Sequence, residues 1–281
     1  MNLFNLHTHS RFCDGSGDPE EYVQAAIGAG FHTLGFSSHG PVPFPNNFAI
    51  QDEEKLAEYC RTINSLKEKY TGQINIWLGL ELDYIEGITK DFGVYRESCG
   101  LDFVIGSLHL VRNGTDTNLW FIDGAKIETY DNGLNQVFNG DIRKAVTTYY
   151  EQLNKMISTQ KPEIIGHFDK IKMNNKGRYF KEDEPWYRDL VLQTIDNIRN
   201  TGSIVEVNTR GIYKKRSDDL YPGTWALEHM NTMNIPITLS ADAHHPSEVD
   251  GYYAETLEIL KRIGFRNLKY LTNAGWTEQG I

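Results

Sequence analysis

Short apolar runs alternate with longer helical stretches about seven times along this chain, and that alternation restricts its fold more than any other feature. Strands are predicted over 2–6, 31–36, 74–82, 102–105, 163–166, 203–207 and 237–240. Helices are predicted over 18–29, 51–70, 89–99, 141–159, 183–200, 224–233 and 252–263. Asp18 and Pro19 supply a cap and a first turn for the first helix, and Gly30 stops it. Strands that alternate with helices build a parallel sheet. The expected class is α/β, best satisfied by a closed barrel with an outer ring of helices; an open doubly wound sheet is the competitor. Residues 110–140 show no period and carry four Asn-Gly or Asp-Gly pairs, the marks of a functional or partly helical loop. A short, partly apolar run at 268–271 closes the chain. No linker or repeat divides it, so residues 1–281 read as one domain.

Composition narrows the function. The formal charge of −10 argues against a nucleic-acid coat, which needs a basic face. A small anionic substrate stays compatible, because a local site can differ in sign from the whole. Cys13, Cys60 and Cys99 form no CxxC pattern and read as reduced thiols. The first residues lack the basic start and apolar run of a signal peptide, and no window approaches the ~18 apolar residues of a membrane span. A cytoplasmic protein with no membrane partner is expected. Nothing sets an oligomeric state.

The chemistry stands just after the predicted strands. His7 and His9 follow the first, and side chains two apart on a strand share a face. Asp14 comes five residues later. His39 follows the second strand, Glu81 ends the third, His109 follows the fourth and His167 the fifth. Asp242 and His244, again two apart, follow the seventh. In a parallel barrel these ends share one rim, where active sites are found. A lone histidine after a strand is usually structural, but six of the nine histidines in this chain occupy such positions. His32 and His229 fall outside the pattern and read as structural; His245 adjoins the site. Imidazole with carboxylate suits zinc, iron or manganese. Nine donors exceed one tetrahedral site, so two or three divalent cations are expected.

The order His7-Thr8-His9, His39, His109 with His167, and Asp242-Ala243-His244 resembles the polymerase-and-histidinol-phosphatase (PHP) superfamily of metallophosphoesterases. The resemblance runs from residue 6 to about 245. The segments LHTHSRFCDG, SSHGP, GLELDY, GSLH, GHFD, EVNT and SADAH look like its histidinol-phosphate phosphatase branch. It implies a distorted (β/α)7 barrel with a trinuclear metal site. Carried over, it puts His7, His9, Glu81 and Asp242 on a first metal. Glu81 bridges to a second, completed by His109 and His167. Asp14, His39 and His244 hold the third. Asp242 is the expected catalytic residue.

Three divalent cations against Asp14, Glu81 and Asp242 leave a local charge of about +3, which suits a phosphate monoester. Metal-activated hydroxide is the expected attacker. Arg178 and Arg210 are the candidate phosphate-binding residues, with Lys214 and Lys215 as alternatives. Glu206 receives no role, and Cys13 reads as a buried thiol. Asp83, Tyr84, Phe12 and residues of 110–140 are candidates for the alcohol half of the substrate, and the turn at 41–45 for a stiff rim. The resemblance implies hydrolysis of L-histidinol phosphate in histidine biosynthesis. Alternatives at this level are a PHP phosphoesterase acting on phosphotyrosine or nucleotides, an amidohydrolase-type C–N hydrolase, and a metal-binding protein that is no enzyme.

Overall fold

The computed structural model describes residues 2–115 and 117–281; Met1, and Asp116 within the aperiodic segment, lie outside the described residues. The chain starts with β1 (Leu3–Asn5), α1 (Pro19–Gly28), β2 (Phe31–Phe36), α2 (Glu53–Lys69) and β3 (Asn75–Asp83). It continues through α3 (Phe92–Cys99), β4 (Phe103–Ser107), β5 (Leu110–Arg112), β6 (Leu119–Phe121), α4 (Ile127–Phe138) and α5 (Ile142–Gln160). Then come β7 (Ile164–Ile165), α6 (Pro185–Thr201), β8 (Ile204–Asn208), the short α7 (Arg210–Tyr213) and α8 (Thr224–Thr232). The last elements are β9 (Ile237–Ser240), α9 (Tyr253–Ile263), β10 (Asn267–Thr272) and β11 (Gly275–Gly280).

Seven strands pair in parallel in the order β1-β2-β3-β4-β7-β8-β9. Every residue of β4, β8 and β9 is buried, as expected of strands covered on both faces. The two ends of the sheet meet just beyond β1 and β9. His9 donates its backbone N–H to Ala243 O at 2.8 Å, and Ala243 donates to His7 O at 3.2 Å. That seam makes a nearly closed barrel rather than an open sheet. It also sets His7 and His9 beside Asp242 and His244, although more than 230 residues separate them.

The helices cover the barrel for legible reasons. Asp52 caps α2 by accepting from Lys55 N at 2.8 Å, and Leu56, Tyr59, Ile63 and Leu66 give that helix a buried stripe. Leu6, Phe103, Ile105 and Ile164 form a separate apolar cluster with Leu271 of β10. The terminal hairpin β10–β11 thus packs against strand residues of the barrel, and the run at 268–271 is its first strand.

Two further elements differ from expectation. The helix predicted over 89–99 starts at Phe92, because Asp91 caps it through Gly93 N at 2.8 Å. Residues 110–140 form the antiparallel hairpin β5–β6 followed by α4. Asn132-Gly133 mimics a turn, yet Gly133 lies within α4, where Trp120 packs against it: a Cβ there would sit 2.5 Å from the indole. Trp120 in turn donates its indole N–H to Tyr130 O at 2.9 Å, which ties α4 to the hairpin.

Candidate metal centre

All nine donors converge where the strands end. Glu81, the seventh residue of β3, is buried at the centre. Its Oε2 lies 3.1 Å from His7 Nε2, 3.4 Å from His9 Nε2 and 3.2 Å from His39 Nδ1. Its Oε1 lies 3.0 Å from His167 Nε2 and 3.5 Å from His109 Nε2. Asp242 Oδ1 stands 3.4 Å from His9 Nε2 and 3.8 Å from His7 Nε2. Asp14 Oδ1 is 3.3 Å from His244 Nε2 and 3.8 Å from His39 Nε2. Two backbone features set this arrangement. Asp242 adopts the left-handed conformation at φ 51°, which re-aims its carboxylate after β9. Gly15 lets the Asp14 turn fold back on the first strand end, since a Cβ there would lie 2.5 Å from Ser10 N.

Outer partners hold the rings. His7 Nδ1 bonds Glu206, and His109 Nδ1 bonds Asp83 Oδ1 at 3.0 Å. His244 Nδ1 donates to Asp242 O at 3.0 Å, and His9 Nδ1 lies 3.4 Å from Cys13 Sγ. Bonds of this kind fix which nitrogen faces inward. Sequence reasoning gave Glu206 no role and offered Asp83 to the substrate. The structure instead buries both carboxylates against imidazoles. The alternation of Glu81 and Asp83 on one strand face was the available signal for the second.

The donor chemistry fits cations. His7 Nε2, His9 Nε2, His39 Nδ1 and His109 Nε2 are buried without a hydrogen-bond partner among the described residues. Such groups are costly unless something binds them. Ligand atoms within 4.8 Å of one another form four overlapping groups, among them His7/His9/Asp242, His7/Glu81/His167 and His9/Asp14/His39/His244.

Electrostatics divides the imidazoles. Burial opposes charge on His7, but Glu206, Glu81 and Asp242 outweigh it and push the pKa up to about 10. His109 reaches about 9, again against burial, through Asp83, Asp123 and Glu81. On His39 and His244 burial prevails, and both fall to about 4. The protons on His7 and His109 must therefore leave before those rings can ligate, whereas His39 and His244 are already neutral at pH 7. Loading with Zn²⁺ or Mn²⁺ is expected to release protons between pH 6 and 8. Apparent affinity should rise about tenfold per pH unit for each proton displaced. Titration calorimetry in two buffers of different ionisation enthalpy measures this; loading without proton release would contradict it.

A cavity of about 540 Å³ opens over the centre. Arg210 lines it and donates to Asp242 O at 2.7 Å; Lys214, Arg216 and His245 line it too. Lys215 is not among its walls. Arg178 is not brought to the cavity: its guanidinium forks onto Asp131 at 2.8 and 2.7 Å. A bidentate carboxylate partner on α4 satisfies the group that phosphate was expected to occupy. Phe12 and Tyr84 are buried in the main core rather than in the cavity wall. The wall comes from Phe48, just beyond the proline-rich turn at 41–45, and Phe121 at the end of β6, stacked at 5.8 Å. Asp123, within the stretch 110–140 offered to the alcohol half, lines the cavity as an ion pair at 3.0 Å with Lys170, which sequence reasoning did not single out. His32 is exposed and His229 half-buried on α8, both away from the centre.

The PHP domain model matches residues 5–210 of this sequence. The chain belongs to the PHP domain family. The histidinol-phosphatase of Bacillus subtilis is 28% identical over 266 residues, covering 90% of this chain and 97% of its own length. A protein of Deinococcus radiodurans named probable histidinol-phosphatase is 27% identical, over 95% of this chain and 96% of its own. Two solved structures share the fold. The hisK protein of Listeria monocytogenes superposes with a TM-score of 0.78 at 22% identity, over 90% of this chain and 99% of that one. The histidinol phosphate phosphatase of Lactococcus lactis superposes with 0.71 at 20% identity, over 98% of both chains. That structure is a complex with zinc, L-histidinol and phosphate. Among the described residues of this PHP protein, no helix is long and apolar enough to cross a membrane.

Proposed function

We propose that this protein is a metal-dependent phosphomonoesterase that hydrolyses L-histidinol phosphate to L-histidinol and phosphate in histidine biosynthesis. The observation that carries the reading is Glu81, whose two oxygens face two separate sets of imidazoles. The near end-to-end match to relatives named histidinol-phosphatase supports the choice of ester. His7, His9, Glu81 and Asp242 would hold a first cation. Glu81, His109 and His167 would hold a second, and Asp14, His39 and His244 a third. Zinc, iron and manganese all suit this donor set. Bound divalent cations neutralise phosphate charge and lower the pKa of water from about 15.7 toward roughly 7.

The chain's own residues do the rest. Arg210, held by Asp242 O, presents a cation to the phosphate, with Lys214 beside the same cavity. Asn208 donates to Asp242 Oδ2 at 3.1 Å and leaves Oδ1 turned toward His9 and His7. Phe48 and Phe121 offer an apolar wall to the alcohol half. We read residues 1–281 as one domain, because β9, beyond the matched span, closes the same barrel and precedes Asp242 and His244. Three free cysteines agree with a cytoplasmic location. No nucleic-acid partner is expected for a chain with a formal charge of −10.

The test is phosphate release from equal concentrations of histidinol phosphate, phosphotyrosine and nucleoside monophosphates. Histidinol phosphate is expected to show at least about tenfold higher kcat/KM. A strong chelator is expected to abolish turnover, and added Zn²⁺ or Mn²⁺ to restore it. Preference for another ester, or full activity in chelator, would overturn the reading.

A further inference from the structure

Cys60 and Cys99 come from different helices and share one small cavity on the outside of the barrel. Cys60 is buried on α2, and Cys99, half-exposed, is the last residue of α3. The cavity, of about 260 Å³, is lined by both cysteines with Glu53, Leu56 and Arg61 of α2 and Ser98 of α3. None of the nine donors of the metal centre lines it. Both thiols are free, and Cys13, the third cysteine, lies against His9 instead.

The two sulfurs act on each other. Cys60 donates a hydrogen bond to Cys99, which lowers the Cys99 thiol below its ordinary value; the same bond raises the Cys60 thiol, and burial raises it further. Ser98 Oγ, 3.7 Å from Cys99 Sγ, adds a second hydrogen bond to the thiolate. Burial and Glu53 oppose ionisation of Cys99 without reversing the shift. The C-terminal end of a helix disfavours an anion, so Cys60, not α3, makes this thiol acidic. A half-exposed, acidified thiol beside a buried, protonated one is the arrangement of an attacking and a resolving cysteine.

We infer that Cys60 and Cys99 form a redox modification site that reacts with a small peroxide and closes to a reversible disulfide clamping α2 to α3. The Cys99 thiolate attacks one peroxide oxygen and the O–O bond breaks. Cys99 becomes a sulfenic acid, and the leaving hydroxide takes up a proton to give water. The Cys60 sulfur then gives up its proton and attacks the Cys99 sulfur, displacing the sulfenic oxygen as a second water. The two thiols lose two electrons and hydrogen peroxide gains them. The bridge closes residues 60 to 99 into a loop that contains β3, the strand that carries Glu81. A cross-link of that span removes freedom mainly from the unfolded chain, so the oxidised protein is the more stable form. The inference holds whichever ester the metal centre cleaves.

The zinc-loaded protein is treated with hydrogen peroxide, and its peptides are mapped by mass spectrometry. A Cys60–Cys99 cross-link is expected, with the mass of two hydrogen atoms lost and then restored by dithiothreitol. Before oxidation, iodoacetamide at pH 7 is expected to label Cys99 at least about tenfold faster than Cys60. Cys60→Ser keeps a hydrogen-bond donor for Cys99 but no resolving sulfur, so dimedone should capture Cys99 as its sulfenic acid. The oxidised wild type should melt about 5 °C or more above the reduced one. Thiols that survive peroxide, faster labelling of Cys60, a cross-link through Cys13, or oxidation of Cys99 with no bridge would overturn the inference. A bridge that leaves Tm unchanged would overturn its role as a clamp.

Discussion

Asp242→Asn and His9→Ala are each expected to lower kcat/KM for phosphate-ester hydrolysis by more than about 10³-fold while the fold survives. Asp242 is buried, and its Oδ1 lies 3.4 Å from His9 Nε2 and 3.8 Å from His7 Nε2. An amide in its place removes the negative charge that a cation needs, yet keeps nearly the same volume. His9 stands between two donor groups. Its Nε2 lies 3.4 Å from Glu81 and from Asp242, and its Nδ1 lies 3.9 Å from Asp14. Alanine there removes the ring that joins the Asp14 side to the Glu81 side. Removing an outer partner of a ligand costs about ten- to a hundredfold, so loss of a ligand itself should exceed that. Steady-state kinetics with metal analysis and circular dichroism checks the pair. Near-normal turnover in both variants, with unchanged metal content, would mean that this cluster is not where the chemistry occurs.

The barrel and its rim were legible because both are written locally. Each strand is a short apolar run, and every donor but Asp14 stands within a few residues of a strand end. What escaped is tertiary. Glu206 sits 199 residues from the His7 it bonds, on the one strand end that offers no ligand of its own. No local period marks a carboxylate turned into a barrel. Arg178 looked available because Asp131 lies in the segment whose helix was hidden by Asn132-Gly133; once α4 exists, that aspartate is in reach.

Glu206 is also where stability and metal binding meet. It is fully buried on β8, bonds His7 Nδ1 and Ser240 Oγ, accepts from His167 N at 2.8 Å, and lies 3.2 Å from Asn208 Nδ2. Removing one partner of a buried charged pair costs about 3–5 kcal/mol, because the remaining groups are left desolvated and unpaired. Glu206→Ala is therefore expected to lower Tm by roughly 10 °C in a chain of this size. Glu206→Gln keeps the volume and an acceptor for Ser240 or His167, so it should cost less stability. It no longer holds a charged acceptor against His7 Nδ1, and affinity for the cation at His7 should fall about ten- to a hundredfold. Thermal melts of the chelated protein, set beside metal titrations of both variants, separate the two effects. A Glu206→Ala protein that melts with the wild type would show that this carboxylate does not support the barrel, and unchanged cation affinity in both variants would show that it does not support the ring it touches.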